Sequence, residues 1–379
     1  MATIKRYIIE NCPSHDTCWD IAVSPDGYIY IGACMEHTPG GIAELVQFNP
    51  KTKKLRSIAN MAEVTGEKYG DTHAPQGKIH LSLCPTREGV MYGSTHCTTP
   101  PLKDRMWDPW AMFTDDRRCF RGAHFYRYNP KFDNIEDFGI ITPNEGVSVM
   151  ILDEDSQRFF AATFPKSHLY SWNIKGRDIM DFGRVSEHYI LSLIKYVDGK
   201  IYFTDYYGRL ICIDPKEMKL DFLDTKLLHP EYNDGMRNWM AHGVVGHDEW
   251  IYAGMYSYSN LIRFKPTKKG VEVEDLGLGI EESNKDKILN YAFTKGAPAG
   301  LILKDEVIYF VQLVYFGPKE FVGSYVSSYD TRTGKKEYIE VLKDVDFKPL
   351  VWKGVLGIDG NLYWADFDAV PPSLWSMSL

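Results

Sequence analysis

One pattern of strand-forming residues recurs seven times along this chain. Each copy reads as an apolar strand, a turn, a second strand with an aromatic beside Ile, Val or Phe, a third strand ending near Asn-Pro or Asp-Pro, and a charged fourth strand. The first copy is DIAVSPDGYIYIGA followed by LVQFNPKTKKLRSI, and the second is KIHLSLCPTREGVMYGST followed by HFYRYNPKFDNIEDFG. The second-strand aromatics are Tyr30, Tyr92, Phe160, Tyr202, Tyr252, Tyr309 and Tyr363, with gaps of 62, 68, 42, 50, 57 and 54 residues. A period of about 40–50 with four short strands per unit is what propeller blades give, and longer gaps mark insertions. The expectation is an all-β fold, a seven-bladed β-propeller formed by residues 1–379 as one domain. The last copy has about three strands before Leu379. IKRYIIE at the N-terminal end can supply the fourth by pairing with the C-terminal blade, and closing the ring removes exposed sheet edges.

Composition narrows the function classes. A 44% hydrophobic fraction is ample for a large core, and 24 Tyr, 19 Phe and 9 Trp suit strands or a sugar-binding surface. No run approaches the eighteen apolar residues that suggest a membrane span. MATIKRYIIENCPSHD has no apolar stretch of signal-peptide length, so a cytoplasmic location is expected. Cys12, Cys18, Cys34, Cys84, Cys97, Cys119 and Cys212 are scattered and lack CxxC spacing, which suits reduced, buried thiols. The net charge is −8 with no basic block, which argues against a nucleic-acid partner.

In a propeller the innermost strand begins at the face where the second strand ends. Starts of first strands and ends of second strands should therefore line one funnel. The starts supply Gln76, Lys78, His80, Glu145, His188, Tyr189, Asn238, Trp239, His242 and Lys353. The ends supply His96, Lys166, His168, Asp205, Tyr206, Tyr207, Tyr256, Gln312 and Asp366. With His73 in the approach loop, six of the eleven histidines fall at this face, whereas SPDG, REGV, VDGK and GIDG at the other are ordinary turns. A concave site with aromatic walls and convergent polar groups is a natural ligand site. His15 and His124 read as structural.

The densest stretch is HAPQGKIHLSLCPTREGVMYGSTH, His73 to His96. It reads as an approach loop, a strand from Ile79 to Leu83, a turn, and a returning strand from Val90 to Thr95. Pairing around that turn, with residue numbers summing to about 175, brings His80 near His96. Lys78 is expected to meet an anionic ligand or Glu145. The segment from Thr98 to Gly122, rich in Trp, Pro and Arg, is too long for a plain connector and reads as a lid or a surface flap.

HAPQGKIHLSL with YGSTH, then TFPKSHLYSW and NWMAHG, resembles the carbohydrate-active seven-bladed propellers: rhamnose-glucuronate lyases, related propeller rhamnosidases and, more distantly, ulvan and oligogalacturonate lyases. The resemblance implies a lyase that cleaves a uronic-acid-containing oligosaccharide by β-elimination. Such chemistry needs a cation or donors on the carboxylate, a base for the α-proton and an acid for the leaving oxygen. It would place His80 or His96 as base or acid, Lys78 and Gln76 at the carboxylate, and His242 and Tyr207 as second proton carrier or sugar contact. Lys166, His168, Tyr189, Trp239 and Gln312 complete the expected substrate-binding set. It also admits a divalent metal, with His80, His96, His168 and His242 as candidate ligands. Funnel arginines are few, and Arg105, Arg117, Arg118 and Arg121 would serve only if the insertion folds inward. Two other readings stay open on the same scaffold. One is a glycoside hydrolase or metal-dependent lactone hydrolase using Glu145, Asp205, Asp366 or Asn238; the other is a propeller that binds sugar or protein without catalysis.

Overall fold

The computed structural model describes residues 2–67, 73–104, 108–109, 115, 118–227, 238–256, 258–279, 298–316, 320–345 and 347–379. After β1 (Thr3–Ile8), blade 1 is formed by β2 (Thr17–Val23), β3 (Ile29–Cys34), β4 (Glu44–Asn49) and β5 (Lys54–Asn60). A short helix, α1 (Met61–Thr65), capped by the Asn60 side chain, follows. Blade 2 is β6 (Cys84–Pro85), β7 (Met91–Ser94), β8 (Gly122–Asn129) and β9 (Asn134–Pro143). Blade 3 is β10 (Gly146–Asp153), β11 (Arg158–Phe164), β12 (His168–Asn173) and β13 (Met180–Arg184). Blade 4 is β14 (Ile194–Lys195), β15 (Ile201–Thr204), β16 (Arg209–Asp214) and β17 (Lys219–Lys226). Blade 5 is β18 (Met240–Val245), β19 (Ile251–Met255), β20 (Tyr258–Thr267) and β21 (Gly270–Leu278). Blade 6 is β22 (Pro298–Lys304), β23 (Val307–Phe316), β24 (Glu320–Asp330) and β25 (Lys336–Leu342). Blade 7 is β26 (Leu350–Leu356), β27 (Leu362–Phe367) and β28 (Ser373–Ser378), completed by β1.

The seven four-stranded units and the closure match the sequence reading. β1 pairs antiparallel with β28 from Thr3↔Ser378 to Ile8↔Ser373. A bridge between Thr17 and Phe367 joins blades 1 and 7 into one eight-stranded sheet. All seven marker aromatics lie on second strands. These strands are packed on both sides: β3 is buried along its length, while the outer β5 is half-exposed with polar residues interspersed. Blade interfaces are aromatic, as where Tyr92, Phe125, Phe159 and Trp172 pack between blades 2 and 3. Full burial of one such side chain contributes about 1.5–3 kcal/mol. The opposite-face turns are held in place too: Tyr202, Tyr252 and Tyr363 each donate to an Asp four residues back, Asp198, Asp248 and Asp359, at 2.8 Å.

The innermost strands depart from regular pairing. One residue is added at Trp19 in β2, at Ser148 in β10 and at Ala241 in β18, and equivalent shifts occur in β22 and β26. Such bulges twist a strand and re-aim its side chains. The expected Ile79–Leu83 strand is not formed; pairing in blade 2 shrinks to Cys84–Pro85 plus a bridge between Lys78 and His96. The cause is competition from the neighbours. Leu81 takes a positive φ and its carbonyl accepts from Met150 N, while Leu83 N donates to Asp20 Oδ2 at 2.6 Å. Ser82 Oγ bonds the Ser94 carbonyl at 2.7 Å.

Candidate functional site

Residues from blades 1, 2, 3, 4, 5 and 7 meet at the face where first strands start. The irregular inner strand of blade 2 carries Lys78 and His80 to the returning chain at His96, and the two imidazole centroids lie 5.0 Å apart. Trp19, the extra residue of β2, packs on His80 at 4.5 Å and on Trp352 at 5.5 Å. Trp352 then meets His242 at 4.6 Å and Tyr256 at 6.1 Å. On the other side Tyr189 lies 6.0 Å from His80 and stacks on Phe164 at 4.5 Å and 6°. Its hydroxyl is 3.5 Å from His96 Nε2. Partly buried Tyr189 stands over His96, which is fully buried.

The electrostatics are those of a dry site. His80 Nδ1 sits 2.5 Å from the Ser148 carbonyl, so it carries the proton and Nε2 keeps the lone pair. Burial first, then the Lys78 charge, lowers His80 to about 3. Burial, then His80 and Lys78, holds His96 well below the ordinary histidine value. Burial and the Lys353 charge lower His242 to about 3. All three imidazoles are therefore neutral near pH 7. Lys78, 1% exposed, bonds Glu36 at 2.5 Å. Burial alone would raise the Glu36 carboxyl, but the Lys78 ammonium and the Trp19 indole, at 2.8 Å, hold it below its usual value. Asp16 fixes this loop by accepting from the backbone N–H groups of Glu36 and His37 at 2.8 and 2.9 Å.

The sequence missed Glu36, Trp19, Phe164 and Trp352. Glu36 follows the second strand of blade 1, so the rule that selected His96 would have selected it. Trp19 was hidden because a bulge cannot be read from alternation.

Other expected residues do different work. Lys78 is paired with Glu36 rather than Glu145, which instead accepts from Thr163 Oγ1 at 2.5 Å and lies 3.7 Å from Lys166 Nζ. Gln76 is fully buried and donates to Glu67 and the Gly122 carbonyl, so its amide holds the approach loop rather than facing a ligand carboxylate. His168 turns to Asp181 on β13, and Gln312 is buried opposite Pro298 on β22. Tyr207 lies in a turn edge-on to Tyr206. The four histidines offered as metal ligands do not assemble: among the described residues no three His, Cys, Asp or Glu side chains form a group fit for a metal ion. His168 is held on an outer strand and His242 packs against Trp352, which is the physical reason. Arg105 and Arg117 lie outside the described residues, as does much of the expected lid, and Arg118 pairs with Asp104 within that segment. Asp366 is buried between Ser373 N and Trp375 Nε1, and Asp205 bonds its own turn.

No family model and no curated protein matches the sequence. Solved structures do. A streptogramin B lyase covers 100% of this chain and 98% of its own, at 10% identity and TM-score 0.66. By fold the chain is a β-propeller. Virginiamycin B lyase from Staphylococcus aureus matches over 100% of both chains at 10% identity and TM-score 0.63. The Cps50 β-propeller domain of Myceliophteria thermophila covers 99% of this propeller and 99% of its own chain, at 10% identity and TM-score 0.59. At these identities the likeness is one of fold alone.

Proposed function

We propose that the histidine-lined mouth of this propeller is the active site of a carbon–oxygen lyase that cleaves a small uronate-containing oligosaccharide by β-elimination. The observation that carries this reading is the packing of His80, His96 and Tyr189 together inside an aromatic perimeter, beside the Lys78 ammonium. Tyr189 is the least buried member of the trio, and His96 Nε2 behind it can exchange its proton. In the reaction the α-proton leaves C5 for a base, its electron pair forms the C4–C5 double bond, and the C4–O bond breaks with protonation of the leaving oxygen. His80 Nε2, holding the lone pair, is the base, and the Tyr189 hydroxyl, backed by His96, is the acid. An incoming carboxylate would favour the protonated imidazole that burial and the Lys78 charge disfavour, poising His80 to accept the proton.

The hydrolase reading is less well supported. It requires two carboxylates flanking the bond, and Glu145, Asp205 and Asp366 are each engaged by groups of their own or an adjoining strand or turn.

A rhamnose-capped glucuronate disaccharide tests the proposal. Elimination creates a conjugated unsaturated uronate, read by ultraviolet absorbance, and products whose masses sum to that of the substrate. Products heavier by one water, with no new absorbance, would overturn elimination in favour of hydrolysis, and no cleavage of any uronate oligosaccharide would overturn the enzyme reading. Tyr189→Phe should lower kcat by about 10²–10⁴-fold, the usual worth of a positioned proton donor, with little change in Tm.

A further inference from the structure

Four rings form a continuous stack at the mouth across blades 4 and 5. His188 lies on Tyr206 at 4.7 Å and 18°, Tyr206 on Trp239 at 4.7 Å and 27°, and Trp239 on Tyr256 at 4.2 Å and 10°. Trp239 is sandwiched and only 5% exposed, yet Tyr256, the last ring, is 45% exposed. Most exposed aromatics on a protein surface swing freely and mean little. Tyr256 differs because its orientation is fixed: Trp239 backs one face, and its own backbone N–H donates to the Trp239 carbonyl at 2.9 Å. It also approaches Trp352 at 6.1 Å, and Trp352 packs in turn on Trp19, which lies against His80. The open ring therefore stands beside the proton-transfer trio, on the perimeter that a ligand must pass.

We propose that Tyr256 is the platform of a further saccharide subsite, taking the apolar face of a pyranose ring beyond the two joined by the bond that breaks. The inference rests on the reading of the mouth as a saccharide site and adds a specificity-determining residue to it. A flat, rigid, half-exposed ring backed by an indole presents a π-face to the axial C–H groups of a sugar while leaving the sugar hydroxyls in water. The stack loses little entropy when a ligand arrives, since Trp239 already fixes the ring. This platform touches that further sugar and not the bond that breaks, so it contributes binding without changing the chemical step.

The test compares Tyr256→Ala and Tyr256→Phe on a rhamnose-capped glucuronate disaccharide and on the tetrasaccharide that extends it. Loss of one stacking contact corresponds to about a three- to tenfold weakening. Tyr256→Ala should raise KM for the tetrasaccharide by about that factor, leave kcat unchanged and abolish the advantage of the longer substrate, and Tyr256→Phe should restore it. A fall in kcat on both substrates, or an equal KM change on both, would overturn the platform. If the wild-type protein cleaves neither saccharide, the lyase reading fails, and the subsite is then read by calorimetric titration of the intact tetrasaccharide. Weaker binding to Tyr256→Ala and recovery in Tyr256→Phe would uphold it, while equal affinity, or no binding to the wild type, would overturn it.

Discussion

At the scale of single residues, His80, His96 and His242 carry a cost set by their position. An imidazole protonates near pH 6.5 in an unfolded chain, but these three stay neutral in the folded one to about 3 or well below the ordinary value. Between those limits the folded state binds fewer protons, so stability rises with pH and is lost as pH falls from about 6.5 toward 3. Each group contributes a slope of about 1.4 kcal/mol per pH unit. Asp366 acts in the other direction, since burial raises its carboxyl to about 7, and the stability it contributes is present below the usual carboxylate value and lost as pH rises to 7. Burial lowers His15 as well and raises Asp205 and Asp368 alongside Asp366, and the four histidines, two of them lowered to about 3, leave a net loss on acidification. Unfolding free energy measured by denaturant titration should fall steeply between pH 6 and 4, and a flat profile would contradict neutral burial of the trio. At this scale the sequence brought His80 to His96, but it also expected His168 among them and gave no sign of their neutrality. Neutrality depends on depth and on the Lys78 and Lys353 charges, which no spacing encodes.

The elements explain how the site is held. Gly146 opens β10 directly against His96: a Cβ there would lie 2.2 Å from His96 Nδ1 and 3.1 Å from its Cα. Gly146→Ala should therefore destabilise the fold by about 1–3 kcal/mol, as overpacking does, and displace the imidazole. Denaturant unfolding reads the first effect, and the imidazole resonances of the variant read the second; native stability with an unmoved His96 would refute the contact. The hairpin was legible in part. The expected pairing sum near 175 is bracketed by the observed pairs Cys84↔Tyr92 and Lys78↔His96, so the juxtaposition of His80 and His96 was correctly placed. The strand between those pairs was not, because Asp20 of blade 1 and Met150 of blade 3 claim its backbone bonds, and Ser82 meets Ser94 of its own hairpin through its side chain instead. Local propensity favours a strand there, and contacts between blades override it. The same limit hid Trp19 and Trp352, whose directions follow from bulges.

For the whole molecule, the repeat set the architecture, because seven strand quartets that each leave an apolar face have few ways to cover it. The final blade depends on β1, and Arg6 reinforces the seam: Nε bonds Ser373 Oγ at 2.9 Å and the guanidinium lies 4.1 Å from the Phe347 ring centroid. Removing residues 3–8 uncovers the edge of β28. Tm should drop by several degrees and self-association should appear on size-exclusion chromatography, as open edges invite strand addition. A monomeric variant with native Tm would show the seam to be dispensable. The seam has a temporal consequence as well. Arg6 and Ser373 lie 367 positions apart, so the strand made first is used last. While a ribosome is still extending the chain, β1 has no partner, and a nascent ring stays unsealed until its final segment has left the exit tunnel.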